Sequence, residues 1–217
     1  MWDLVAGVPQ YEIPEGAEFT WSPDGTRFLV GNRVYDPSGQ GVTSLEDPEH
    51  PGFWNVAWSG DGTRVAMALE GDAAGVAIWD VERGEIIRTL DTGSGTDWIA
   101  LESDRRRLLT GGERPTIWDP DSGEAIAELE GRPDVCDADF SPDSRLLAIG
   151  GGDFTVRLFD PATGRQLLVL RGHERIVCSV EFSADGSMLV SQSPGEIRVW
   201  ALDMNDLLEI ARRNVTR

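Results

Sequence analysis

The sequence predicts an all-β fold built from repeated four-stranded units, a β-propeller. Three observations carry this. An aromatic followed by Asp returns along the chain as Trp2-Asp3, Tyr35-Asp36, Trp79-Asp80, Trp118-Asp119 and Phe159-Asp160, and Trp200 ends the series. Successive aromatics are 33, 44, 39, 41 and 41 residues apart, the period of one supersecondary unit stacked several times. Within each period, short alternating or wholly apolar runs are separated by Ser, Pro, Asp and Gly turns, which is the pattern of strands.

The elements follow in order. Trp2-Asp3-Leu4-Val5-Ala6-Gly7 is in register with the later copies, because its Gly lies four residues past the Asp as in three of them. Val8 to Ile13 then occupies a fourth-strand slot, so residues 2–13 read as the remnant of a preceding repeat. Five units follow at about 14–45, 53–91, 96–130, 134–171 and 175–202. The fourth is the clearest. Val135 to Phe140 alternates with period two and is a first strand. Ser141-Pro142-Asp143-Ser144 turns the chain, Pro fixing φ and Asp bonding back to the backbone. Arg145 to Ile149, Phe154 to Asp160 and Arg165 to Leu170 supply three more strands, broken by Gly150-Gly151-Gly152-Asp153 and by Pro161-Ala162-Thr163-Gly164. Four short antiparallel strands per period make one propeller blade.

The other units fit this frame. Their first strands end at Trp21, Trp58, Leu101 and Phe182, and an Asp stands third in the turn after the first strand of all five units, at Asp24, Asp61, Asp104, Asp143 and Asp185. Apolar runs such as Phe28-Leu29-Val30 require burial on both faces, as in a blade between two blades. The fifth unit stops after its third strand, since Trp200 is followed by Ala201-Leu202-Asp203 with no turn Gly. Residues 203–217 read as a helical tail with an apolar stripe of Leu207, Leu208, Ile210 and Ala211. Either the N-terminal strand completes the fifth blade and closes a ring, or the chain is an open arc of a larger propeller.

Composition narrows the context. The formal net charge is -19, with 19 basic residues, all of them Arg. Such an acidic body repels phosphate backbones and anionic membranes. No apolar run reaches eighteen residues, and the start lacks a basic, apolar leader. The expectation is a cytoplasmic protein binding neither nucleic acid nor membrane. Cys136 and Cys178 hold equivalent positions in neighbouring units and are expected as buried free thiols.

With these residues in register, the chain resembles the WD-repeat (WD40) family from about residue 2 to 202. Gly172-His173, Phe182-Ser183-Ala184-Asp185-Gly186 and Ile197-Arg198-Val199-Trp200 resemble its repeat from end to end. The resemblance implies a WD40 β-propeller whose structural repeat residues are Asp36, Trp79, Asp80, Trp118, Asp119, Phe159, Asp160, His173 and Trp200. Family repeats often link a His, a Ser or Thr, a turn Asp and the Trp through hydrogen bonds. Here His173 alone fills the His slot, and its blade has Pro194 where the Asp would stand. No blade is expected to carry the whole network, and rigidity is expected to rest on aromatic packing. Members usually have seven blades, about 280 residues at forty each. The tail resembles the C-terminal extension of large bacterial multidomain members, in which the propeller follows a signalling or nucleotide-binding module.

The candidates for chemistry are few. His50 lies in a turn-rich loop, and His173 fills a structural slot. No Cys-x-x-Cys, no His-x-His pair and no phosphate-binding Gly loop with Lys occurs, so no catalytic residue, cofactor or metal is assigned. Asp134, Asp137, Asp139, Glu18 and Glu181 could line a central channel, read as solvated acids before a calcium site. Arg105-Arg106-Arg107 reads as a solvated turn before an anion patch. The expected function is a non-catalytic protein-interaction scaffold within a larger signalling or regulatory protein, its partner having a basic face. Trp98, Trp54 and Arg175, near the starts of first strands, are the candidate anchors, since loops at one rim carry variation and Trp and Arg anchor interfaces. Trp54 shares parity with Val56 and Trp58 and so also reads as core. The alternative is a propeller enzyme or a small-ligand or metal binder using the channel.

Overall fold

The computed structural model describes residues 2–3, 8–9, 19–46, 52–69, 75–93, 96, 98–102, 106–131 and 133–202; at 2–3, 8–9 and Trp54 it describes the backbone alone. Among them are twenty-one strands and no helix. The tail at 203–217 lies outside the described residues, as do Glu18, His50, Asp104, Arg105 and Arg132.

The strands run β1 (Trp2–Asp3) and β2 (Val8–Pro9), then five sheets. Blade one holds β3 (Phe19–Trp21), β4 (Phe28–Val30), β5 (Arg33–Tyr35) and β6 (Gly41–Ser44). Blade two holds β7 (Phe53–Trp58), β8 (Arg64–Leu69), β9 (Gly75–Asp80) and β10 (Glu85–Asp91). Blade three holds β11 (Ile99–Leu101), β12 (Leu108–Thr110), β13 (Thr116–Trp118) and β14 (Ala125–Glu128). Blade four holds β15 (Asp137–Phe140), β16 (Leu147–Gly150), β17 (Thr155–Asp160) and β18 (Arg165–Arg171). Blade five holds β19 (Ser179–Phe182), β20 (Met188–Ser193) and β21 (Glu196–Ala201). Each sheet is an antiparallel meander in sequence order.

The N-terminal strand pairs locally. β2 joins β1 through Trp2↔Pro9 and Asp3↔Val8, and blade five keeps three strands. Over the described residues β2 therefore does not complete blade five. A local hairpin closes a far shorter loop than a pairing across nearly the whole chain. The β1–β2 register is that of a third strand with its fourth, as in Trp79↔Ile86 and Asp80↔Glu85 of blade two.

The recurring polar residues build the turns. In the turn after β3, Ser22 Oγ donates to Asp24 Oδ1 (2.6 Å) and accepts from Arg27 N–H (3.0 Å). Ser59 with Asp61, Ser141 with Asp143 and Ser183 with Asp185 repeat the first of these bonds. The Ser22 hydroxyl and the Thr26 donors hold the Asp24 carboxyl down to about 2. After the third strands, Asp80, Asp119 and Asp160 each accept a backbone N–H two residues on. Gly84, Gly123 and Gly164 close these turns at positive φ.

Four separate cores lie between the sheets, one at each junction. Leu29, Val34 and Leu45 pack on Trp58, Val65 and Met67 between blades one and two. Ala66, Val76 and Ile78 meet Ile99 and Leu108 between blades two and three. Leu109 and Ile117 meet Phe140, Leu147 and Phe159 between blades three and four. Leu146, Ala148, Val156 and Leu158 meet Val177, Val180, Phe182 and Leu189 between blades four and five. Each blade thus has an outgoing face, toward the next blade, and an incoming face.

Candidate protein-interaction rim

The rim at the first strands is best defined between blades four and five. The loop joining β16 to β17 and the segment leading into β19 meet there. Gly151 O accepts N–H groups from both Phe154 and Val177, each at 3.2 Å. Three consecutive glycines make the approach possible. A Cβ on Gly150 would lie 2.9 Å from Val177 O, one on Gly151 3.2 Å from Asp134 O, and one on Gly152 2.3 Å from the Asp134 carboxylate. Asp153 fixes the end of the loop by accepting from Thr155 Oγ1 (2.6 Å) and from Arg157.

Phe154 sits in this loop at φ 70°, a left-handed conformation that a bulky residue rarely adopts. Its side chain is 44% exposed, and so is that of Ile176, beside the exposed Arg175. The segment carrying Arg175 and Ile176 is anchored at its start by His173, which is buried. His173 Nε2 lies 2.7 Å from Ser191 Oγ, which accepts the Trp200 indole N–H at 2.8 Å. His173 Nδ1 faces Ser193 Oγ at 3.0 Å and Glu196 Oε2 at 3.1 Å. The expectation that no blade carries the hydrogen-bonded network is corrected here. Blade five has it, with Glu196 supplying the carboxylate that Pro194 cannot. Arg198 completes the anchor by donating to Gly172 O (2.9 Å).

The three anchors named from sequence fall in different settings. Arg175 is exposed at this rim. Trp98 is half-buried, and its side chain packs against the core between blades three and four, beside Val135. The Trp54 side chain lies outside the described residues. Phe154 and Ile176 are absent from the sequence-derived set. A Phe directly after Gly-Gly-Asp was the available signal for the first, because that position in a tight loop falls to a strained backbone.

The acids are engaged in the scaffold. Asp137 Oδ2 accepts from Val180 N–H at 2.9 Å, and Asp139 Oδ2 from Phe182 N–H at 2.8 Å. These two N–H groups belong to the free edge of β19, so blade four satisfies donors that blade five cannot pair itself. Burial pushes the Asp139 carboxyl up to about 6, against the pull of the Phe182 N–H. Arg107 donates from blade three to Ser144 O in blade four (2.8 Å), so this member of the arginine run is structural and not a solvated turn. Both thiols are free, but Cys178 is exposed and Cys136 half-buried, which corrects the expectation of two buried thiols. Burial and the neighbouring Asp134 push the Cys136 thiol up, which disfavours the thiolate.

Comparison with known proteins bears on the fold and the repeats. Residues 123–160 and 164–201 match the family model "WD domain, G-beta repeat". The serine-threonine kinase receptor-associated protein of Dictyostelium discoideum is 28% identical over 213 residues, covering 92% of this chain and 71% of that protein. Its counterpart in Gallus gallus is 25% identical over 213 residues, and the chain spans 59% of that protein's length. These relatives are eukaryotic. The C-terminal WD40 domain of Sif2 superposes with a TM-score of 0.71 at 19% identity, covering 88% of this chain and 57% of that one. Two stretches of the chain therefore match the WD domain, G-beta repeat, and the fold is an all-β WD40 propeller.

Proposed function

We propose that the protein is a non-catalytic protein-interaction scaffold whose rim between blades four and five receives a protein partner with a basic face. The observation that carries this is Phe154. A left-handed conformation costs a non-glycine residue about 1–3 kcal/mol, and here it holds a large apolar ring at the surface, in the loop whose Gly151 O also accepts the Val177 N–H that follows exposed Arg175 and Ile176. Aromatic and Arg side chains grouped on a rigid base are the usual anchors of an interface. The net charge of -19 favours a basic partner and disfavours nucleic acid and anionic membrane. Channel chemistry is the weaker reading, because Asp137 and Asp139 are taken up by Val180 and Phe182. The relatives named as receptor-associated proteins support a role by association; a place within a larger signalling or regulatory protein in the cytoplasm is part of the same proposal. The bacterial multidomain setting rests on the tail's resemblance alone.

Phe154→Gly separates the two consequences of the strained ring. It relieves the backbone, so the melting temperature should hold or rise. It removes the anchor, so proteins captured from native lysate by the wild type should be lost, as they should with Arg175→Glu. Capture unchanged in both variants would remove this rim from consideration.

A further inference from the structure

Three of the turns that follow first strands contain Asp-Gly, as Asp24-Gly25, Asp61-Gly62 and Asp185-Gly186. This dipeptide carries a chemical liability. The glycine nitrogen can attack Cγ of the aspartate before it. An N–Cγ bond forms, and the carboxyl hydroxyl leaves with the glycine's proton as water. Water then opens the cyclic succinimide at either carbonyl. Opening at the α-carbonyl leaves isoaspartate, whose backbone runs through the side-chain methylene. Glycine is the most permissive following residue because it has no Cβ to obstruct the attack.

The fold opposes each requirement of this reaction. The attacking nitrogen is engaged, since Gly25 N–H donates to Ser22 O (2.9 Å), Gly62 N–H to Ser59 O (2.8 Å) and Gly186 N–H to Ser183 O (2.8 Å). The carboxyl is pinned. Asp24 accepts from Ser22 Oγ (2.6 Å), Thr26 N–H (3.0 Å) and Thr26 Oγ1 (2.7 Å). Asp61 accepts from Ser59 Oγ (2.8 Å), Thr63 N–H (3.2 Å) and Thr63 Oγ1 (2.9 Å). Asp185 accepts from Ser183 Oγ (2.6 Å), Ser187 N–H (3.0 Å) and Ser187 Oγ (2.8 Å). Cyclisation also needs the neutral acid, because a carboxylate carbon is a poor electrophile. The Ser hydroxyls, with the donors two residues on, hold Asp24 and Asp185 at about 2 instead of 3.8. Near neutral pH their neutral form is then roughly tens of times rarer than in an unfolded chain. The fourth turn repeats the Ser141–Asp143 bond (2.7 Å) and the Ser144 N–H to Ser141 O bond (2.8 Å), with Ser144 in the glycine's place.

We propose that Asp24, Asp61 and Asp185 are latent isoaspartate sites, kept unmodified by the donors of their own turns and released to react when a turn opens. The recurring Ser, with the Thr or Ser four residues later, thus protects the covalent chain as well as shaping it. Isoaspartate displaces the carboxyl from its donors, so a turn that has reacted cannot regain its bonds. These turns lie at the opposite ends of the strands from the loop of Phe154 and from Arg175, so this proposal and the partner-binding rim fail separately.

The test is prolonged incubation of the 217-residue chain near neutral pH, folded or in guanidinium chloride. Peptide mapping with fragmentation that separates isoaspartate from aspartate then reads each site. In denaturant the three Asp-Gly sites should react at similar rates and Asp143-Ser144 more slowly. Folding should slow each Asp-Gly site by about tenfold or more. Ser22→Ala should raise isoaspartate at Asp24 by about fivefold, with Asp61 and Asp185 of the same molecules unchanged. Ser183→Ala should act likewise on Asp185 alone. Thr26→Val removes an exposed hydroxyl and keeps the buried Ser22, so it should give a smaller rise, again confined to Asp24. Folded rates within about twofold of the denatured ones overturn the proposal. So does an equal rise at all three sites in both Ser22→Ala and Thr26→Val, which would mark general loosening of the fold. No rise at Asp24 in either variant overturns it as well.

Discussion

Two of the closing tryptophans donate to a hydroxyl two residues on from their register partner in the second strand. Trp118 Nε1 donates to Thr110 Oγ1 at 2.9 Å and Trp200 Nε1 to Ser191 Oγ at 2.8 Å. In blade four the ring is Phe159 and the position of Thr110 is Ile149, so no donor needs a partner. Blade two breaks the pairing. The position corresponding to Thr110 is Met67, and the buried Trp79 indole N–H has no hydrogen-bond partner among the described residues. A buried unsatisfied donor costs about 1–3 kcal/mol. Trp79→Phe should therefore cost less than 1 kcal/mol by the same scale, the lost ring area being offset by removal of the orphan donor. Trp118→Phe should cost about 1 kcal/mol more, because it removes a hydrogen bond to the buried Thr110 hydroxyl, which keeps only its longer bond to Thr116 O (3.3 Å). Urea denaturation of both variants against the wild type measures the difference.

At the scale of the element, the glycines after the closing aromatic-Asp of blades two and four serve two purposes. Gly164 has φ 69°, and a Cβ there would lie 2.3 Å from Glu128 O on the outer strand of blade three. Gly84 makes the same approach to Ser44 O at 2.9 Å. Ser144 is the opposite case, a non-glycine at φ 61° in a turn where Gly25, Gly62 and Gly186 stand elsewhere. Gly164→Ala should destabilise by more than 2 kcal/mol, roughly the left-handed cost plus displaced backbone, while Ser144→Gly should stabilise by about 0.5–1 kcal/mol. Opposite shifts in melting temperature check the pair. Strand order and turn positions were legible in the sequence because period-two runs and Ser-x-Asp turns are local signals. The bulge between third and fourth strands was not. It leaves Val42, Ile87, Ile126 and Leu167 unpaired opposite the closing aromatics. A bulge depends on how two strands twist against each other, and an apolar residue looks the same in sequence whether paired or bulged. The network around His173 was missed for a related reason, since Glu196 reaches it from a neighbouring position that no fixed spacing specified.

For the whole molecule, the clasp between blades four and five makes stability depend on pH. The Asp139 carboxyl is raised from 3.8 to about 6, and that of Asp137 is also raised, each chiefly by burial. The folded state then binds more protons than the unfolded chain between these values. The contribution is full below the unfolded value and is lost as pH rises through the folded one. Stability should be greater near pH 5 than near pH 7.5, a difference that Asp139→Asn should reduce while its amide oxygen still accepts from Phe182 N–H. Denaturant midpoints at the two pH values test this. Below about pH 4 the order reverses, because the unfolded chain protonates Asp24 and Asp185 while hydroxyl and N–H donors hold them down to about 2 in the folded state, so their contribution is lost as pH falls toward 2. The four junction cores have a further consequence. Apolar contact is made almost wholly between neighbours, so cohesion is a chain of pairwise couplings and not a shared centre. Among the described residues blades two to four are each held by two couplings and blades one and five by one, so of these five blades the first or the fifth should open first. The rim that displays Phe154 and Arg175 sits on the last coupling, where one of these opening events and the binding surface coincide.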